Sequence, residues 1–179
     1  LDQIGLELYS DLLEEAINDL RGHKKMNPSF TEINSIFPSL IPNNFIRDSK
    51  IRLKIYKKLS NLKSEENVDY AVTEIQDQFG SIPLELANLV FVLKLRILFS
   101  SYGVKTISIL KKQITLVFDS DFIKNHQSIT SNLINLITRQ PNSYQLSQDY
   151  RFTYFPKQLV DDGNFYQICK DIADNIKPC

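Results

Sequence analysis

Leu40-Ile41-Pro42-Asn43-Asn44-Phe45-Ile46 opens, and Asp77-Gln78-Phe79-Gly80-Ser81-Ile82-Pro83 closes, the stretch whose reading decides this fold. Between them lie a basic amphipathic segment over residues 48–62 and a second helical segment over residues 65–79. Gly80 suits the left-handed residue just past a helix end, and Pro83 suits the first turn of the next helix, where its missing N–H costs nothing. The stretch therefore reads as two helices, a glycine stop and a proline restart. The functional surface is expected on the outer side of the second helix.

Turning residues 48–63 at about 100° per residue puts Ile51, Leu53, Ile55, Tyr56, Leu59 and Leu62 on one broad arc, with Lys50, Lys54, Lys57, Lys58 and Asn61 on the other. Arg52 points into the apolar arc, where a guanidinium must snorkel or find a carboxylate, and a structural ion pair is the simpler reading. In residues 65–79, Val68, Val72, Ile75 and Phe79 form a narrow apolar stripe, while Glu66, Tyr70, Thr73, Glu74 and Asp77 point the opposite way. Most charged helix faces are only solvated. A tyrosine framed by three carboxylates serves no evident core purpose, however, so Glu66, Tyr70, Glu74 and Asp77 are the candidate partner-binding residues.

Working outward, Leu6, Tyr9, Leu12, Leu13, Ala16, Ile17 and Leu20 recur at helical spacing, which predicts an amphipathic helix over residues 4–21, ended by Gly22. A polar linker with Pro28 follows, and residues 32–37 read as a short strand. Residues 83–101 are apolar on almost every side, interrupted by Glu85, Asn88, Lys94 and Arg96, as befits a helix at the centre of a domain. Residues 104–110 and 114–118 predict a β-hairpin around Lys111-Lys112, with Ile107 and Ile109 on one arm and Ile114, Leu116 and Phe118 on the other. Leu133, Ile134, Leu136 and Ile137 mark a helix ended by Pro141. Residues 151–155 read as a strand, and Phe165, Ile168, Cys169, Ile172 and Ile176 mark a C-terminal helix. The fold class expected is α+β, several helices packed on a small, mainly antiparallel sheet covered on one side.

The totals exclude several functions. Twenty-one basic and twenty-one acidic residues cancel over 179, so no global field calls for nucleic acid or an anionic membrane. A basic cluster on one helix, Lys50, Arg52, Lys54, Lys57 and Lys58, leaves an independent nucleic-acid-binding module as the alternative reading. No apolar run approaches the roughly 20 residues that span a bilayer, and the first residues lack a signal-peptide pattern. The chain opens on Leu1 rather than Met, so a piece of a longer protein is expected.

Chemistry finds little purchase. The five glycines, Gly5, Gly22, Gly80, Gly103 and Gly163, are isolated, so no phosphate-cradling loop is formed. His23 and His126 lie about a hundred residues apart with no ligand spacing around either, and both read as surface histidines. Cys169 falls on an apolar stripe and Cys179 is the last residue, which suits a core side chain, a mobile end and a reducing, cytosolic setting. The pairs Glu14-Glu15, Glu65-Glu66 and Asp161-Asp162 sit in polar segments with no apolar pocket to raise a pKa. No catalytic residue, metal site or cofactor is expected.

Three segments together resemble one family. Ile4-Gly5-Leu6-Glu7-Leu8-Tyr9-Ser10-Asp11-Leu12-Leu13-Glu14-Glu15-Ala16-Ile17 looks like the helix after the last motor motif of bacterial transcription-repair coupling factors (Mfd). Residues 40–46, with Arg52-Leu53-Lys54-Ile55-Tyr56-Lys57, resemble the entry into the family's C-terminal domain, and residues 77–83 resemble its signature turn. The match covers roughly the first hundred residues; beyond Ser101 only the order of hairpin, helix, strand and helix agrees. Asn43 and Asn44 stand where the family usually has acidic residues, and Gln78 where it has a basic one, so charge contacts at these positions are not carried over.

The resemblance implies that residues 1–31 are a helix and linker from the end of an upstream motor domain, and that residues 32–179 are a C-terminal regulatory domain. The whole protein would be a cytoplasmic, ATP-dependent DNA translocase that removes stalled RNA polymerase and recruits the repair protein UvrA. Its ATPase would lie upstream of this chain. The implied partner is the N-terminal UvrB-like module of the same protein, which the domain would cover, hiding the UvrA surface and restraining the motor. Glu74 and Asp77 align with carboxylates that in the family face this module. Weak or no DNA binding, and no membrane, is implied for the domain itself.

Overall fold

The structure is a computed structural model and describes residues 13–18, 20–21 and 31–177. The described part of the expected N-terminal helix is helical and buries Ala16 and Leu20. The remainder of that helix, the linker with His23, and Cys179 lie outside the described residues.

The chain falls into two compact units, one of Leu1–Pro28 with Pro38–Lys94, the other of Ser29–Phe37 with Leu95–Cys179. In the first, helix α1 (Ser49–Ser60) starts at Asp48, whose carboxylate accepts the backbone N–H groups of Lys50 at 2.7 Å and Ile51 at 3.2 Å. It buries Leu53, Tyr56 and Leu59. Helix α2 (Glu65–Phe79) starts at Ser64, whose hydroxyl accepts from the Asn67 N–H at 3.3 Å, and has Glu65 and Glu66 in its first turn, where the helix dipole favours anions. Its buried side chains are Val68, Ala71 and Ile75.

Gly80 ends α2, its N–H donating to the Gln76 carbonyl at 2.9 Å. Its φ is positive as expected, but its ψ of −161° puts it in the extended region open to glycine rather than in the left-handed helical one. A Cβ there would meet no atom within 4 Å, so the constraint is purely torsional. Gly80→Ala is expected to cost about 1–3 kcal/mol. A urea melt with an unchanged midpoint would contradict that. Helix α3 (Leu84–Ser100) begins one residue after Pro83, whose carbonyl accepts the Ala87 N–H at 3.0 Å. The boundary between the units falls within this helix, after Lys94.

The second unit holds a five-stranded sheet in the order β1-β2-β3-β5-β4, formed by β1 (Glu32–Ser35), β2 (Val104–Leu110), β3 (Gln113–Phe118), β4 (Tyr144–Leu146) and β5 (Arg151–Tyr154). β1 runs parallel to β2 and the other pairings are antiparallel, so the fold is α+β with a mainly antiparallel sheet. Register puts Ile33, Ile107, Leu116 and Phe152 in one row across four strands, all buried. On the opposite side the Thr115 and Thr153 hydroxyls lie 3.3 Å apart.

Helices α4 (Ser120–Asn125), α5 (Gln127–Arg139) and α6 (Phe165–Ile176) complete the unit, α5 lying against both α6 and β4. Phe165 stacks on Phe37 with centroids 5.5 Å apart. Cys169 is fully buried, which pushes its thiol pKa up and leaves it a core side chain. Gly103, at φ +68°, is a second enforced glycine, since a Cβ there would come within 2.2 Å of the Phe122 ring. Among the described residues no helix is long and apolar enough to cross a membrane.

Candidate functional site

The two ends of the deciding stretch meet in the first unit. Residues 38–46 form a strap fastened at several points: the Leu40 N–H donates to the Glu85 carbonyl at 3.1 Å, the Asn88 amide to the Pro38 carbonyl at 3.0 Å, and the Ile41 N–H to the Tyr56 hydroxyl at 2.7 Å. The Phe45 ring tilts at 60° against Phe79, with centroids 6.2 Å apart, so the strap lies against the last residue of α2. Burial pushes the Tyr56 phenol pKa up against the opposing pull of the Ile41 hydrogen bond and the charges of Arg52 and Arg21.

Arg52 corrects a reading of the sequence. Instead of a carboxylate, its guanidinium takes the carbonyls of Ile46, at 2.6 Å, and Arg47, at 2.9 Å. It thereby closes the end of the strap. The physical reason lies in the strap itself, whose end places backbone carbonyls directly before α1, within reach of this side chain. Beside it opens a cavity of about 530 Å³ whose lining includes Leu13, Ile17, Asn43, Arg52 and Glu85.

The strap and turn hold α2 so that Glu66, Tyr70, Glu74 and Asp77 all lie exposed along one side, Tyr70 at 69%. Spacings of four, four and three residues keep them on a single stripe. This face is not uniformly acidic. The Lys58 ammonium of α1 is hydrogen-bonded to Glu74, so one of the three carboxylates already has a cation from within the unit. Asp69, beside the stripe, pairs at 2.6 Å with Lys94, whose side chain is only 13% exposed. Among the described residues no cation pairs with Glu66 or Asp77. The stripe thus keeps two free carboxylates and a bare aromatic ring, an arrangement suited to a basic protein surface rather than to catalysis.

Both ion pairs were missed in the sequence. Lys94 carried a signal, a cation breaking an apolar helix, but its partner Asp69 is far off along the chain. Lys58 carried none, because periodicity assigns directions on one helix and cannot tell which neighbour lies there. The basic set of α1 is also exposed at Lys50, Lys54, Lys57 and Lys58, with Arg52 drawn away to the strap. His126 is exposed and stacks on Phe122 at 3.7 Å. Glu14, Glu15 and Glu66 are exposed and Glu65 half-buried, and Asp161 accepts the Gly163 N–H at 2.9 Å as part of the turn into α6. Among the described residues no three His, Cys, Asp or Glu side chains gather as a metal site.

The family model for the TRCF domain matches residues 36–129, which include the strap, the acidic stripe and the turn at Gly80. The chain belongs to the TRCF domain family. Transcription-repair-coupling factors of Rickettsia conorii and Escherichia coli are 26% and 29% identical to it over 90% and 86% of the chain. The chain spans 14% of the length of each. That of Staphylococcus haemolyticus is 32% identical over 64% of the chain, which covers 10% of the relative. A crystal structure of the C-terminal domain of transcription-repair coupling factor superposes with a TM-score of 0.63, covering 83% of this chain and 92% of that one at 15% identity. The shared fold extends, therefore, past residue 129, where the family match ends.

Proposed function

We propose that this TRCF domain is the regulatory end of a cytoplasmic transcription-coupled repair translocase, and that it works by docking. The α2 stripe of Glu66, Tyr70, Glu74 and Asp77 takes a basic surface on the protein's own N-terminal UvrB-like module. While docked, the domain hides the surface that UvrA would use and restrains the motor, which indirectly sets access to UvrA and to RNA polymerase. The observation that carries this reading is Tyr70, 69% exposed on one stripe with the unpaired Glu66 and Asp77, on a helix anchored from behind. An exposed aromatic within a charged rim is the composition of a polar interface centre.

Full-length protein lacking residues 32–179 tests it. Docking predicts more UvrA captured by the truncated protein and faster ATP turnover in the absence of DNA. Unchanged capture and turnover, with only a lower Tm or poorer solubility, would mean that the domain merely stabilises its neighbour.

A further inference from the structure

The exposed side of α1 carries a row of cations that docking through α2 leaves unused. At about 100° per residue, Lys50, Lys54 and Lys57 fall within one narrow arc, and all three are exposed. The helical rise sets Lys50 and Lys57 roughly 10 Å apart along the axis. Lys58, next on the arc, is taken by Glu74. Among the described residues no carboxylate pairs with the other three. The nearest carboxylate in sequence, Asp48, accepts the backbone N–H groups of Lys50 and Ile51 and so caps the helix.

We propose that Lys50, Lys54 and Lys57 form a docking strip for the phosphate backbone of duplex DNA. Each strand of a duplex carries one phosphate per 3.4 Å of axis, so a row about 10 Å long faces about three of them. Lysine is a point charge on a flexible stem and needs no fixed register. No aromatic or arginine side chain of α1 is free to stack on or read a base, since Tyr56 is buried and Arg52 is committed to the strap. Sequence-independent contact with duplex is the chemistry that remains.

Three neutralised phosphates give a slope of log K against log salt near −2.7, hence about a 40-fold loss of affinity between 50 and 200 mM salt. The strip is therefore weak at physiological salt. On the function proposed above, it adds to the hold of a protein kept beside DNA by its motor and does not recruit it.

Fluorescence anisotropy of the full 179-residue chain against a labelled duplex of about 20 base pairs, over the same salt range, reads this directly. The expected slope is near −2.7, and Lys54→Gln alone should reduce its magnitude by about 0.9. Combining Lys50→Gln, Lys54→Gln and Lys57→Gln should cut low-salt affinity at least tenfold, while arginine at all three positions retains it. Lys111→Gln with Lys112→Gln, on the exposed hairpin turn, should change nothing. The proposal is overturned if the triple glutamine variant binds like the parent, if the hairpin variant loses binding instead, or if single-stranded DNA of the same sequence binds as tightly as the duplex.

Discussion

Full-length protein carrying Glu74→Arg and Asp77→Arg is expected to be roughly 10–60% open, against about 1% for the parent. The tether sets this range. Two modules of one chain see each other at an effective concentration on the order of 1 mM, so a contact with Kd near ~10 μM stays about 99% closed. A charge-assisted hydrogen bond at the covered interface is worth roughly 1.5–3 kcal/mol, and its loss multiplies the open-to-closed ratio about 10- to 150-fold. Reversal adds repulsion against a basic partner. Both side chains are exposed and sit opposite the buried Val68, Ala71 and Ile75, so the domain should keep its fold. Pull-down of UvrA measures the open fraction, and no gain over the parent would reject the assignment of this face. Losing the Lys58 contact to Glu74 adds little to the effect, because an exposed pair contributes at most about 1 kcal/mol.

Tyr56→Ala should produce the largest loss of stability, about 3–5 kcal/mol by chemical denaturation. The side chain is 2% exposed, and its hydroxyl is the acceptor for the Ile41 N–H. Removing the ring leaves a cavity beneath the strap and frees one of its fastenings. Tyr56→Phe separates the two effects: it keeps the ring but leaves a buried N–H without its acceptor, costing about 1–3 kcal/mol. Since the folded phenol has a raised pKa, its neutral form is favoured by folding. That contribution is complete below the ordinary tyrosine pKa near 10 and is lost as pH rises through the folded value. The alkaline fall in stability should therefore be shallower in Tyr56→Phe than in the parent. A neutral effect of Tyr56→Ala would show that the strap is held without it.

Much of the fold was legible because its helices announce themselves locally. The stripes of α1 and α2, the glycine stop and the nearly all-apolar α3 each follow from spacing within a dozen or so residues. The hairpin of β2 and β3 was equally plain. Helix α4 and strand β4 escaped notice. α4 is only six residues, and its start depends on the Asp119 carboxylate, which accepts from the N–H groups of Asp121 at 3.0 Å and Phe122 at 2.8 Å. The Lys105 ammonium at 2.8 Å and those amides hold the Asp119 pKa down. β4 is three residues and exists through its pairing with β5, where Tyr144 opposes Tyr154. No local pattern carries such a partner. That β1 joins the sheet in parallel, Ile33 beside Ile107, is likewise a long-range fact.

The site divides the same way. Periodicity alone isolates Glu66, Tyr70, Glu74 and Asp77 as one face, because helical direction is a local property. It could not reveal that Lys58 sits on Glu74, nor that Arg52 serves the strap's carbonyls, because both depend on how separate segments pack. Glu74 holds a lysine of α1, and under the docking proposal it would exchange that lysine for the partner. Glu66, Tyr70 and Asp77 carry no such prior engagement and, under that proposal, should dominate the interface.

The most direct measurement is calorimetric titration of this chain, supplied in trans, into the separately produced N-terminal UvrB-like module. Docking through α2 predicts binding with Kd on the order of 10 μM, weakened at least tenfold by Glu74→Arg with Asp77→Arg and unaffected by Lys111→Gln with Lys112→Gln. Absence of binding by the parent chain, or equal binding by the charge-reversed one, would contradict it.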